Sequence, residues 1–188
     1  VIRYFSEMGG TLMALSDPLY DGTWALNKPA SPALITSLTK RDTASVKTLL
    51  ASEGWKISGD CQDVLYQKVD MFFPCAVQDV ITATNVDRIK AKFISEGANN
   101  PTSAEAYSLL FQRGIALVPD FIANPGGIIA AYVELTSPAS GTEKVKEAKD
   151  MIYTRIAANV RALYDLVDTL NVEPSQAGQY MALKRILG

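Results

Sequence analysis

The 188-residue sequence contains no histidine. That absence excludes a Ser-His-Asp triad, a Cys-His pair and any histidine-ligated metal site within this chain. Cysteine is scarce as well. Cys61 and Cys75 lie fourteen residues apart, with no third cysteine to complete a zinc site, so neither a metal site nor a disulfide framework is expected. Two unpaired thiols indicate a reducing, cytoplasmic setting. Positive charge is not in excess: 18 Lys+Arg against 20 Asp+Glu give a formal charge of −2, so the footprint of a nucleic-acid binder is missing. No apolar run reaches the roughly 18 residues of a transmembrane helix, and no basic amphipathic helix suggests a membrane surface. The N-terminus, VIRYFSEMGG, has neither an initiator Met nor the charged start and apolar run of a signal peptide; a chain beginning inside a longer one is the expectation. What is present is ordinary for a globular fold: 48% apolar and 20% charged residues.

Apolar spacing organises the chain. Val1, Ile2, Phe5 and Met8 read as the end of a helix stopped by Gly9-Gly10. Thr11 to Leu15 (TLMAL) form an apolar run that predicts a buried parallel-type strand, with Ser16-Asp17 at its carboxyl end. A turn-rich stretch, DPLYDGTWALNKPASP, leads to predicted helices over 32–40 and 43–53. Further strands are predicted at Val69 to Phe73, Lys92 to Ser95 and Ile115 to Val118, with a short helix over 84–90. Thr102 is the expected N-cap, with Glu105 as its capping-box partner, of a helix ending near Gln112. Such alternation predicts that 11–16, 69–74, 92–96 and 115–118 are parallel neighbours in one sheet with helices on both faces. From 142 to 170 the spacing of Val145, Ala148, Ile152, Ile156, Val160, Leu163 and Val167 predicts one long helix, and a second follows over about 175–187. The expected fold class is therefore α/β. Residues 1–140 form a partial, Rossmann-like dinucleotide-binding domain, and 141–188 a helical extension packing on it.

Ligands of open parallel sheets bind beyond the carboxyl ends of the strands. This sequence places small residues, amides and glycines there: Pro74-Cys75-Ala76, Glu96-Gly97-Ala98-Asn99, and Asn124-Pro125-Gly126-Gly127 after Pro119-Asp120. Such an edge lets a flat ligand approach the backbone. Asp17 has two readings. A carboxylate at a strand end accepts the ribose hydroxyls of a dinucleotide, and Asp-Pro also opens turns. A phosphate-binding glycine loop belongs roughly 20 residues before such an acid, which lies ahead of Val1. Cys75 reads first as a small apolar side chain, and the charges of 143–161 as the solvated face of the long helix.

Three segments carry a family likeness. DMFFPCA (Asp70 to Ala76), NVDRIKAKFISEGANNPTSAEA (Asn85 to Ala106) and RGIALVPDFIANPGG (Arg113 to Gly127) resemble, in order and spacing, motifs of the glutamate/leucine/phenylalanine/valine dehydrogenases. GTLMALSD and the final helices also fit, so the likeness covers nearly the whole chain. The resemblance implies the cofactor-binding C-terminal domain of an enzyme that converts an L-amino acid reversibly to a 2-oxo acid and ammonia. The catalytic lysine and aspartate of such enzymes lie in an N-terminal substrate domain, so no catalytic or metal-binding residue is assigned here. By resemblance Asp17 faces the adenosine ribose, Cys75 and Ala76 pack under the cofactor, and Gly97, Ala98 and Asn99 meet the nicotinamide ribose. Asn124 meets the ring carboxamide. The cofactor is NAD or NADP, with Asp17 favouring NAD. Two departures stand out. Pro125 replaces the family's alanine, and Ala131, with Ile128 nearby, stands where glutamate-specific members place a carboxylate-binding serine. An apolar substrate side chain is the expectation. The expected partners are the small-molecule substrates and further copies of the chain in a homo-oligomer, with no nucleic acid and no membrane.

Two other readings are a stand-alone nucleotide-binding or regulatory module without catalysis, and an assembly piece built on the long helices. A self-contained binding module needs a pyrophosphate cradle, and the sequence immediately upstream of Val1 separates these readings from the enzyme. On the enzyme reading, residues 1–188 alone show no hydride transfer with any amino acid and bind dinucleotide weakly at best. Calorimetric titration with NAD and NADP and a turnover assay check this; submillimolar binding together with turnover refutes it.

Overall fold

The computed structural model describes residues 1–188 and divides into two compact units, Val1–Asp70 with Arg88–Ala91, and Met71–Asp87 with Lys92–Gly188. The first unit contains helix α1 (Ile2–Glu7), strands β1 (Ala14–Asp17) and β2 (Gly22–Leu26), helices α2 (Pro32–Lys40) and α3 (Thr43–Glu53), and strand β3 (Gly54–Ser58). Its sheet has the order β1-β2-β3 and is antiparallel throughout. Leu15, Tyr20 and Leu26 from the sheet side pack with Leu34 of α2 and Val46 and Leu50 of α3. Ser31 caps α2 through the Leu34 N–H and is itself held by the buried Glu53, whose oxygens accept from the Ser31 N–H and O–H at 2.9 and 2.5 Å.

This corrects the expectation of a parallel first strand. The chain turns back through a 3-10 turn at Pro18–Tyr20 and the left-handed Asp21 (φ 62°) before entering β2. A connection that short can only be antiparallel, because a parallel return needs a dozen or more residues. Within the stretch read as turn-rich, Thr23 to Leu26 are strand residues, and the Asp21-Gly22 pair ahead of them is the hairpin signal.

The second unit is the Rossmann-like part. Strands β4 (Met71–Phe72), β5 (Phe93–Ser95) and β6 (Ala116–Val118) lie in sequence order and run parallel, as expected. β4 is short because Phe73 runs into Pro74, which has no N–H to give the ladder. Helix α4 (Ala104–Gln112) makes the crossover to β6, followed by α5 (Asp120–Ala123) and α6 (Gly126–Thr136). Ser103, not Thr102, caps α4. Thr102 is instead a buried extended residue, bridged to Ile81, so the helix starts one residue later than expected. The helix expected over 84–90 is a single 3-10 turn at Val86–Arg88. The long helices are α7 (Gly141–Leu170) and α8 (Pro174–Leu187). Leu163 and Val167 of α7 and Ala177 and Met181 of α8 pack against Val118 and Ile122, and the Tyr164 O–H donates to the Leu117 carbonyl at 3.1 Å.

Gly22 has φ 119°, and a Cβ there would collide with the Ser58 carbonyl and lie 2.7 Å from Gly59 Cα. Both the conformation and the space require glycine. Gly22→Ala is therefore expected to destabilise the first unit by about 2–3 kcal/mol. Gly59, whose Cβ position is open, should tolerate alanine within about 0.5 kcal/mol. Denaturant midpoints of the two variants check the contrast.

Candidate functional site

Parallel strands bring their carboxyl ends to one edge of a sheet, so the residues after β4, β5 and β6 share a neighbourhood. The backbone builds it first. The Pro74 carbonyl accepts from the Gly97 and Ala98 N–H groups at 3.0 and 2.8 Å, tying the turn after β4 to the turn after β5. A Cβ on Gly97 would come within 2.6 Å of Cys75 Sγ, so a larger residue there would have to turn the thiol aside. The thiol, tucked against Gly97, is pushed above its ordinary value by desolvation. It is a poor nucleophile at neutral pH, although the residue itself is exposed.

Glu96 organises the centre. It is wholly withdrawn from solvent at the end of β5. Its Oε2 accepts the Tyr107 O–H of α4 at 2.8 Å and the Asp120 N–H, the first residue of α5, at 2.9 Å. Asp120 passes the constraint on: its Oδ2 accepts the Asn100 N–H at 2.8 Å, and its carbonyl accepts the Asn124 N–H at 2.7 Å. At the far end the Asn124 side-chain amide donates to Asn99 Oδ1 at 2.9 Å. Two asparagines from different strand ends thus form one amide pair. Burial raises the Glu96 carboxyl above its ordinary 4.5, against the opposing pull of Thr102, Tyr107 and the Asp120 N–H. Thr102 lowers it from close by, yet neither Thr102 Oγ1 nor Glu96 Oε1 closes a hydrogen bond of ordinary geometry. Glu96 and Asp120 themselves raise the Tyr107 phenol, behind the larger effect of its burial.

Of the expected site residues, Cys75, Ala76, Gly97, Ala98, Asn99 and Asn124 therefore share the strand-end edge of the second unit. Ala76, Gly97 and Asn99 are exposed there, and Ala98 is buried. Asp17 belongs to the first unit, where it caps the 3-10 turn through a 2.8 Å bond from the Leu19 N–H. Ile128 and Ala131 are both exposed on α6, and Leu135 continues their row one turn on. The sequence reading assigned nothing to Glu96, Tyr107 or Asp120. The available signal was a carboxylate closing the apolar strand Phe93–Ser95, which needs internal partners once buried.

The model of the Glutamate/Leucine/Phenylalanine/Valine dehydrogenase family matches residues 1–188. A glutamate dehydrogenase of Aeropyrum pernix is 37% identical over 142 residues, which is 74% of this chain and 32% of that protein. An NADP-specific glutamate dehydrogenase of Saccharolobus shibatae is 33% identical over 168 residues, 87% of this chain and 37% of that protein. The chain thus spans about a third of the length of these relatives. Among solved structures, hetero-hexameric glutamate dehydrogenase from Thermus thermophilus, in a leucine-bound form, superposes with a TM-score of 0.77 at 18% identity, covering 98% of this chain and 42% of that one. At that identity the likeness speaks for the fold.

The Glu96 carboxyl carries a pH prediction. Its folded pKa lies above the unfolded value of 4.5. Its stabilising contribution is therefore complete below 4.5 and is lost as pH rises through the folded pKa. Glu96→Gln, permanently neutral and of the same shape, should not show this loss. Relative to the Gln variant, the parent chain is expected to lose stability between pH 4.5 and neutrality, measured by denaturant unfolding at both ends. A constant difference across that range refutes the assignment.

Proposed function

Because the chain belongs to the glutamate/leucine/phenylalanine/valine dehydrogenase family, we propose that it forms the dinucleotide-binding part of an enzyme that oxidatively deaminates an L-amino acid. The observation that carries this reading is the Asn99–Asn124 amide pair beside an exposed glycine edge. The pair commits one N–H of Asn124 and one lone pair of Asn99 to each other. Asn124 keeps its carbonyl oxygen for the N–H of a ring carboxamide, and Asn99 keeps its amide N–H groups for ribose oxygens. Gly97 and Ala76 place no bulk on the same edge, beside the exposed Cys75 and the buried Ala98. These residues fit a nicotinamide ribose and ring. In the first unit, Asp17 uses Oδ1 for its turn; the family resemblance, not its placement, assigns its carboxylate to the adenosine ribose.

A nicotinamide cofactor held by Asn99 and Asn124 would supply the hydride acceptor for oxidation at the substrate α-carbon. The chain's own residues contribute position. A bonded amide pair holds its geometry without reorganising when the ring arrives, so less of the orientation is lost at the moment of transfer. Asp17 disfavours a 2′-phosphate by charge repulsion, which tilts the choice toward NAD, although the Saccharolobus relative is NADP-specific by name. The relatives point to glutamate as substrate. The α6 surface points elsewhere: Ile128 and Leu135 are 77% and 87% exposed, and Ala131 lies between them without a hydroxyl. A buried substrate carboxylate facing that row would lack a donor, so an apolar amino acid is the better fit. A homo-oligomer is also proposed, with exposed Leu183, Ile186 and Leu187 near the end of α8 as surface that association would cover.

The experiment is a steady-state assay of the full-length protein with glutamate, leucine, valine and phenylalanine, each with NAD and NADP. The expected outcome is turnover with a higher kcat/KM for an apolar amino acid than for glutamate, and for NAD than for NADP. Preference for glutamate removes the α6 argument, and no turnover with any amino acid removes the enzyme reading.

A further inference from the structure

We propose that Glu96 is the positioning residue of the cofactor edge, setting the Asn99–Asn124 amide pair through the two hydrogen bonds gathered on its Oε2. The inference rests on the cofactor reading above. Three observations carry it. First, Glu96 is wholly buried, and both donors to Oε2 come from other elements, Tyr107 from α4 and Asp120 from the start of α5. Oε2 is thus a junction between the strand end, the crossover helix and the helix that delivers Asn124. Second, every link from the junction to the amide pair is a direct hydrogen bond. Asp120 accepts from the Asn100 N–H on one side and the Asn124 N–H on the other, fixing the backbone beside Asn99 and at Asn124. Asn100 is in the left-handed region at φ 47°, a conformation that for a non-glycine residue must be held by its surroundings. The Asp120 carboxylate on its N–H and the Asp79 N–H on its carbonyl, at 3.0 Å, are what hold it. Third, Glu96 Oε1 and Thr102 Oγ1 are buried atoms without another partner. A protonated Oε1 donating toward Thr102 Oγ1 would satisfy both atoms while leaving Oε2 as a pure acceptor for Tyr107 and Asp120. No cation contacts the carboxyl, and its burial outweighs the hydrogen bonds that pull the other way.

The arrangement makes different demands on different replacements. Glutamine keeps an acceptor oxygen for both donors and turns an NH2 group toward Thr102, so it reproduces the neutral acid. Alanine strands the Tyr107 O–H and the Asp120 N–H in a buried site. A residue acting only on overall stability would not distinguish cofactor affinity from turnover, nor depend on Asn124.

The test is a double-mutant cycle in the full-length enzyme, with KM for the cofactor, cofactor Kd and kcat read separately. The variants are Glu96→Ala, Glu96→Gln, Asn124→Ala and the Glu96→Ala/Asn124→Ala pair. Glu96→Ala is expected to weaken the cofactor by about tenfold or more, the size of stranding buried donors, and Glu96→Gln to stay within about threefold of the parent. In the Asn124→Ala background the Glu96→Ala loss should shrink to less than about twofold, because the object it positions is gone. If Glu96→Ala fails to fold, Tyr107→Phe removes one of the two donors with little change of volume, and its weakening of the cofactor should likewise vanish when Asn124 is alanine. Full multiplication of the single effects, or unchanged cofactor affinity in Glu96→Ala, overturns the inference while leaving the cofactor reading intact. Unchanged affinity in Asn124→Ala alone overturns both.

Discussion

A carboxyl group removed from water must find its hydrogen-bond partners inside the protein, and at Glu96 that requirement fixes where three elements meet. The strand carrying it is only three residues long, too short for its ladder alone to set the turn that follows. The position of that turn instead comes from what the side chain and the neighbouring backbone bond: Oε2 to Tyr107 and Asp120, the Pro74 carbonyl to Gly97 and Ala98. Stranding any of these buried donors would cost on the order of 1–3 kcal/mol. The short strands are thus compensated by a polar network at their ends, where a ligand edge needs the most precise backbone.

The first unit solves a different problem by other means. Its three antiparallel strands need no helical crossover, so α2 and α3 are free to serve as cover, and both dock on Leu15, Tyr20 and Leu26. The buried Glu53 does there what Glu96 does in the second unit, on a smaller scale: it receives both donors of Ser31 and fixes the start of α2. Each unit holds a buried acid whose partners are neutral donors, and in each the acid ties a helix start to a residue distant in sequence.

Much of this was legible in the residues. The helices over 32–40 and 43–53 start at the Ser31 and Asp42 caps and the one over 142–170 follows its apolar spacing, because those signals are local. The strand β2 was not, since its residues stand among Asp, Gly, Asn and Pro and its pairing is set by a turn rather than by an apolar run. Thr102 looked like the cap of α4 because Thr, Ser, Asp and Asn cap alike; which of two adjacent hydroxyls does so depends on Ile81, twenty-one residues away, whose backbone bonds the Pro101 carbonyl and the Ser103 N–H and holds Thr102 extended between them. At the strand ends, small residues and amides stood out by composition. The Glu96 network did not, because Tyr107 and Asp120 reach it from eleven and twenty-four residues away, separations that only the folded sheet closes.

Helix α7 adds a mechanical property to the second unit. Its first half lies against α6, where Glu147 receives the Ser137 O–H and Lys144 reaches the Glu134 carbonyl. Its second half is anchored by Leu163 and Val167 in the core beside Ile122 of α5. Lys144 and Leu163 are separated by roughly 28 Å along a continuous helix at 1.5 Å per residue. The helix is therefore a single rod joining α6 to the core beside α5. A tilt of about 5° at Leu163 would sweep the Lys144 end through roughly 2.5 Å, and α6, fastened to that end, would be carried with it. On a rigid rod a small tilt at one end would be enlarged at the other, and the exposed row of Ile128, Ala131 and Leu135 lies on the helix fastened to that far end.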